Sequence, residues 1–188
     1  MYLTRFIFLV LTTFYFLGTI NQMSPGTIIW DKNRPLTWEN FKDAPDNKSE
    51  HAAISSSIIK WKIKAKEDST IIIINCFFNP ARSWIKIEKQ TYSLLKHEQL
   101  HFDISELYAR KLRQTILSQK LVQKDLTLGL KIVVADNDKL LNEYQDRYDL
   151  ETNHSKEESK QAEWERKIAF ELKSLEKYSN PEIHLLLK

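Results

Sequence analysis

His97, Glu98 and His101 are the residues of this chain whose types and spacing could do chemistry; they stand together in Leu94-Leu95-Lys96-His97-Glu98-Gln99-Leu100-His101-Phe102-Asp103. On a helix, positions four apart share one face about one turn apart, so both imidazoles can reach a single metal ion. Zinc takes neutral imidazole nitrogens, and a catalytic zinc needs three protein ligands and an open position for water. Glu98 is turned about 100° from His97 around the helix, which sets its carboxylate beside such an ion rather than on it. That is the place for a general base acting on a metal-bound water, and His-Glu-x-x-His is the spacing expected of a metal-dependent peptide hydrolase.

Two histidines do not complete a catalytic zinc site. Glu106 follows His101 by five residues, about 140° around the helix and off the metal face. His51 falls in a polar loop and His184 near the C-terminus, and both read as surface residues. His154 is the stronger candidate, because Asp149-Leu150-Glu151-Thr152-Asn153-His154-Ser155 reads as a break between two helices, from which a side chain can project onto another element. The expected ligand set is therefore His97, His101 and His154, with Asp149 or Glu151 as alternative third ligands. Tyr148 is a candidate oxyanion donor, with core packing as its competing role.

The elements that must position these residues are legible to different degrees. From Thr91 to Ser118 there is no Gly or Pro, and Leu94, Leu95, Phe102, Leu107, Tyr108, Leu112 and Ile116 recur at helical spacing. This predicts a long amphipathic helix of about 40 Å. Ile59, Trp61, Ile63 and Ala65 alternate with Lys60, Lys62, Lys64 and Lys66, a strand with one wet face. Thr70 to Phe78 is β-branched and aromatic, a strand covered on both faces, and the two should pair as a hairpin turned at Glu67-Asp68-Ser69. Thr37 is placed to cap a helical turn with Asn40 three residues on. Leu126 to Leu130 is ambiguous, Asp138 to Tyr148 is helical, and a last helix runs from Glu157 to about Tyr178.

With 188 residues the chain suits one domain, expected over residues 23–188. Its 42% hydrophobic and 28% charged content is globular, and a net charge of +3 with interleaved signs leaves no nucleic-acid footprint. Residues 1–22 read as a signal peptide or N-terminal membrane anchor, with Arg5 ahead of the apolar run Phe6 to Leu17. Export to the periplasm or medium, or attachment to the membrane through this segment alone, is the expectation. Cys76 is the only cysteine, which excludes an internal disulfide and cysteine-rich zinc sites.

Leu95-Lys96-His97-Glu98-Gln99-Leu100-His101-Phe102-Asp103-Ile104, taken with Tyr148-Asp149-Leu150-Glu151-Thr152-Asn153-His154, resembles a family of bacterial exported proteins of unknown function that are predicted to be zinc-dependent proteases. Leu36-Thr37-Trp38-Glu39-Asn40-Phe41, Ser83-Trp84, Ala109-Arg110 and Gln161-Ala162-Glu163-Trp164 extend the resemblance over nearly everything after the apolar segment. The chain departs from the family pattern at Leu100 and Ser155, where glycine is usual. The resemblance implies an α+β, zincin-like domain, with a small antiparallel sheet on the His-Glu-x-x-His helix and a helical C-terminal half. It implies a Zn2+ metallopeptidase acting on peptides or proteins, with Glu98 as base, and a monomer is the expectation beside it. Strand addition along Asn75 to Trp84 would hold the substrate. Two other readings stand beside it: a zinc-binding envelope or maturation factor of the same fold without turnover, and a metal-free helical interaction module.

Overall fold

The structure is a computed structural model that describes residues 26–65, 69–119 and 126–186. The expected export segment and the hairpin tip at 66–68 lie outside them. The fold is mixed α+β, with three helices and a small antiparallel sheet among the described residues. In chain order the strands are β1 (Ile28–Ile29), β2 (Ala53–Ile54), β3 (Ser57–Ala65), β4 (Ser69–Phe78), β5 (Trp84–Ile85) and β6 (Glu182–Leu186). The helices are α1 (Tyr92–Ser118), α2 (Leu126–Thr152) and α3 (Glu158–Ser174).

The lysine-alternating strand and the isoleucine-rich strand form the expected hairpin, β3 on β4, in a register running from Ser57 opposite Phe78 to Ala65 opposite Thr70. Period two sends Ile59, Ile72, Ile74, Cys76 and Phe78 to the face that joins the core around α1. The second edge of β4 is also occupied, by β1 at Phe77 and Phe78 and by β6 from Ser69 to Ile73. Between those two short strands, Trp30 N–H donates to the Cys76 carbonyl, and the Arg113 guanidinium donates to the Ile74 carbonyl at 2.9 Å. β4 is thus a central strand through Phe78, and Trp84 pairs with β2 in a separate two-stranded sheet. The expectation that Asn75 to Trp84 offers a free edge for a peptide is corrected by this topology.

Close to the C-terminus, residues 182–186 join the sheet as β6. Ile183 and Leu185 alternate toward the core, which recruits 182–186 as a strand, and His184 points outward 3.8 Å from Glu182.

Helix α1 starts where Thr91 Oγ1 accepts the Leu94 N–H at 3.1 Å, and it is one 27-residue helix with its apolar face under the sheet. Trp30 Nε1 donates to Asp103 at 2.7 Å, and Gln99 Oε1 accepts the Leu36 N–H at 2.7 Å, so the N-terminal segment is stapled along α1. Glu106 is buried between Arg110 and Arg113, at 3.1 and 3.0 Å. The two arginines also reach the carbonyls of Leu172 and Tyr178, tying the C-terminal segment to α1.

Helix α2 differs most from the sequence expectation. It is continuous from the ambiguous Leu126 to Thr152, so Asp149, Leu150, Glu151 and Thr152 form its last turn rather than a break. It ends where Asn153 turns left-handed at φ 48°, with His154 N–H donating to the Asp149 carbonyl and Asn153 N–H to the Leu150 carbonyl. That is the Schellman pattern, in which asparagine is the usual substitute for glycine. His154 and Ser155 follow at φ 51° and 73°, in the same left-handed region. The last helix is shorter than expected, with α3 closing at Ser174 and a separate 3-10 turn covering Glu176–Tyr178.

Candidate metal centre

Helices α1 and α2 meet through two matched pairs of residues four apart. His97 and His101 on α1 face Asp149 and Gln145 on α2, with the pairs running in opposite directions, as antiparallel helices require. Asp149 Oδ1 lies 3.1 Å from His97 Nε2 and 3.0 Å from His101 Nε2, and the two Nε2 atoms are 3.2 Å apart. His97, His101 and Asp149 therefore form a group that could hold a metal ion. Three donors each bound to one tetrahedral zinc at 2.0–2.1 Å stand about 3.3 Å apart, so this spacing fits such an ion.

The residues behind the group fix which nitrogen each imidazole presents. Gln145 Nε2 donates to the His101 carbonyl and to Ser105 Oγ, at 2.9 and 3.2 Å, which leaves Oε1 to accept the His101 Nδ1–H at 2.6 Å. Gln161 of α3 acts in the same way on His97. Its Nε2 donates to Glu165, and its Oε1 lies 3.2 Å from His97 Nδ1 and accepts the Tyr148 hydroxyl at 2.7 Å. With both Nδ1 atoms donating to a glutamine, Nε2 of each imidazole is the nitrogen left to face Asp149, as a donor to the carboxylate or, once its proton is lost, as a ligand to a metal ion.

Tyr148 is fully buried, stacks on His97 with ring centroids 4.6 Å apart, and spends its hydroxyl on Gln161 and the His97 carbonyl. It supports the imidazole from behind, and burial raises its pKa. That placement suits packing, not the oxyanion donor considered from sequence.

Charge is shared across the group. Burial acts to raise the Asp149 pKa, but the hydrogen bonds from His101 and His97 prevail and hold its carboxyl well below the usual range. Burial acts to lower the pKa of His101, and here the Asp149 hydrogen bond and the Glu98 charge outweigh it and raise the value. Glu98 is itself buried, at 4% exposure, and lines the same cavity of about 310 Å3 as the group.

The remaining candidates are placed as follows. His154, expected as the third ligand, lies at the mouth of this cavity with Nδ1 3.6 Å from Asp149 Oδ1 and half its side chain exposed. It is not among the atoms that all lie within 4.8 Å of one another; the third donor of that group is Asp149, the alternative weighed from sequence. The helix ending explains the pairing, since a Schellman turn brings the residue at Asn153+1 back against the one three before Leu150+2, here His154 against Asp149. Glu151 accepts the Trp164 indole N–H at 2.9 Å and stays out of the group. Glu106 is taken by its two arginines. His51 is exposed as expected, yet it lines the cavity, its ring 5.4 Å from that of His154.

Sequence alone assigns no role to Gln145, and Gln161 enters it only as part of the family resemblance. The signal for the first is its spacing of four from Asp149, on the same face as Tyr144 and Tyr148; the partnership of Gln161 depends on the approach of α3. No protein family, curated protein or solved structure matches the chain.

Proposed function

We propose that the protein is a zinc-dependent hydrolase of peptide bonds, with a zincin-like arrangement of sheet and metal helix. The observation that carries this reading is the convergence of His97 Nε2, His101 Nε2 and Asp149 Oδ1 to within 3.2 Å of one another, with the buried Glu98 lining the same cavity. Two imidazoles and one carboxylate leave a coordination position open, the ligand count of a catalytic rather than a structural zinc site. Zinc in such a site lowers the pKa of a bound water toward neutrality and polarises a carbonyl oxygen.

The chain's own residues supply the rest. Asp149 and the two histidines bring one negative charge to the ion, and Gln145 and Gln161 keep both imidazoles in the Nδ1–H tautomer. Glu98 takes the proton of the attacking water and delivers it to the leaving amine. His51 and His154 border the cavity where a substrate carbonyl would enter. The strand beside the cavity is β2, since residues 50–55 line it and β2 pairs only with β5 among the described residues. An extended peptide laid along that strand would gain main-chain hydrogen bonds. Export, through the N-terminal apolar run, remains part of the proposal.

The test joins metal analysis to turnover. Protein purified without a histidine tag should carry about one zinc per chain. Glu98→Gln should keep that zinc and lose hydrolysis of an unstructured protein such as casein. Zinc retained with no turnover in the unaltered protein would favour the non-catalytic zinc-binding role, and no metal at all would favour the helical interaction module.

A further inference from the structure

The face of the sheet turned away from α1 combines exposed apolar and basic side chains. In the register of β3 on β4, Ile58, Lys60, Lys62 and Lys64 share this face, opposite the residues that join the core. Lys62 and Lys64 are exposed and Lys60 is half-buried. At one end, Ile29 of β1, Phe77 of β4 and Ile58 of β3 lie in one row across three strands. The outer two of these are 47% and 43% exposed, whereas Phe77 and the β4 residues Ile71 and Ile73 on the same face are buried, so the exposed apolar surface lies at the rim. Among the described residues of these strands, Glu182 of β6 is the acidic residue on this face, 3.8 Å from His184, so the lysines set its sign. Helix α1 packs on the other face. The chain enters the sheet through β1, shortly after the apolar run Phe6 to Leu17.

We propose that this face of the sheet docks on an anionic phospholipid surface, Lys60, Lys62 and Lys64 meeting the headgroups and Ile29 and Ile58 reaching the interface. A row of lysines on an edge strand also discourages strand pairing between molecules, a role that needs no partner. One observation favours the membrane: the lysines share a face with two exposed isoleucines. A basic residue near an anionic bilayer is worth about a factor of five in binding, so three contribute roughly 100-fold, lost at high salt.

The experiment is co-sedimentation of the full chain with vesicles of phosphatidylcholine, with and without phosphatidylglycerol. The unaltered chain should bind the anionic vesicles more tightly, and added salt should erase the difference. Lys60→Gln, Lys62→Gln and Lys64→Gln together should lose that preference, by roughly 100-fold in affinity. Binding to phosphatidylcholine alone, which the N-terminal run would supply, should not change. Ile58→Asn should weaken anionic binding while leaving its salt dependence. Equal binding to both vesicle types, or a triple variant that binds as the unaltered chain does, would overturn the proposal. So would self-association that Ile58→Asn abolishes, which would assign the face to a second copy of the chain.

Discussion

Gln145 Oε1 lies 2.6 Å from His101 Nδ1, although the two residues are 44 positions apart on different helices. The amide cannot be turned around, because its nitrogen is held by the His101 carbonyl and Ser105 Oγ. His101 is thereby fixed as a donor at Nδ1, which leaves Nε2 as the nitrogen that faces Asp149 and would take a metal. Gln145→Leu should lower metal affinity by about 10- to 100-fold with little change in fold. Competition against a chelator of known affinity measures this, and an unchanged affinity would show that His101 needs no such support.

Asp149 and His154 are separable by substitution. Asp149→Ala removes a donor that stands within 3.1 Å of both imidazoles and should lose the metal. His154→Ala removes a half-exposed side chain 3.6 Å behind that carboxylate, and about one ion per chain should remain. Loss of the ion in His154→Ala alone would restore His154 as the third ligand.

Stability should depend on pH in opposite directions with and without metal. In protein stripped by a chelator, the raised pKa of His101 contributes stability that is complete below 6.5 and lost as pH rises through its folded value. The lowered pKa of Asp149 contributes stability that is complete above 3.8 and lost as pH falls through its folded value. Stripped protein should therefore be stabilised most between those values and melt at lower temperature as pH rises beyond 6.5. Metal must displace the His101 proton, so the stabilisation it confers should grow over the same rise. Melting curves that ran parallel across pH with and without added zinc would contradict this coupling.

Glu106 and Arg113 form a buried pair that holds the sheet and the C-terminal segment to α1, away from the metal centre. Arg113→Ala leaves Glu106 with Arg110 alone and strips the Ile74 and Tyr178 carbonyls of a donor. A loss of about 3–5 kcal/mol is expected in urea unfolding, the range for breaking one side of a buried pair. Replacing both Glu106 and Arg113 by apolar residues should cost less than Arg113→Ala, because no buried carboxylate short of a partner stays behind and Arg110 keeps Glu176. Equal costs would mean that the carbonyl contacts, not the charges, do the holding.

What the sequence determined by itself is local. The spacing of His97, Glu98 and His101 put both imidazoles on one face of a helix, because a turn of helix repeats every 3.6 residues whatever surrounds it. The lysine alternation fixed the β3–β4 hairpin for a similar reason, a period of two with one wet face. Local signals ran out where two elements compete for the same residues. Asp149 to Thr152 is rich in residues that favour turns, yet the buried Tyr148 and Thr152 hold the segment in α2 for one more turn. That turn decides the third donor of the group. With α2 ending at Thr152, Asp149 faces the histidines, and His154 falls into the left-handed ending behind it. The orientation of the imidazoles by Gln145 and Gln161, and the pairing of the second edge of β4 with β1 and β6, depend on contacts between segments 40 or more residues apart. Only the packing of three helices and a sheet around one core brings those segments together, and no periodicity in a single stretch encodes it.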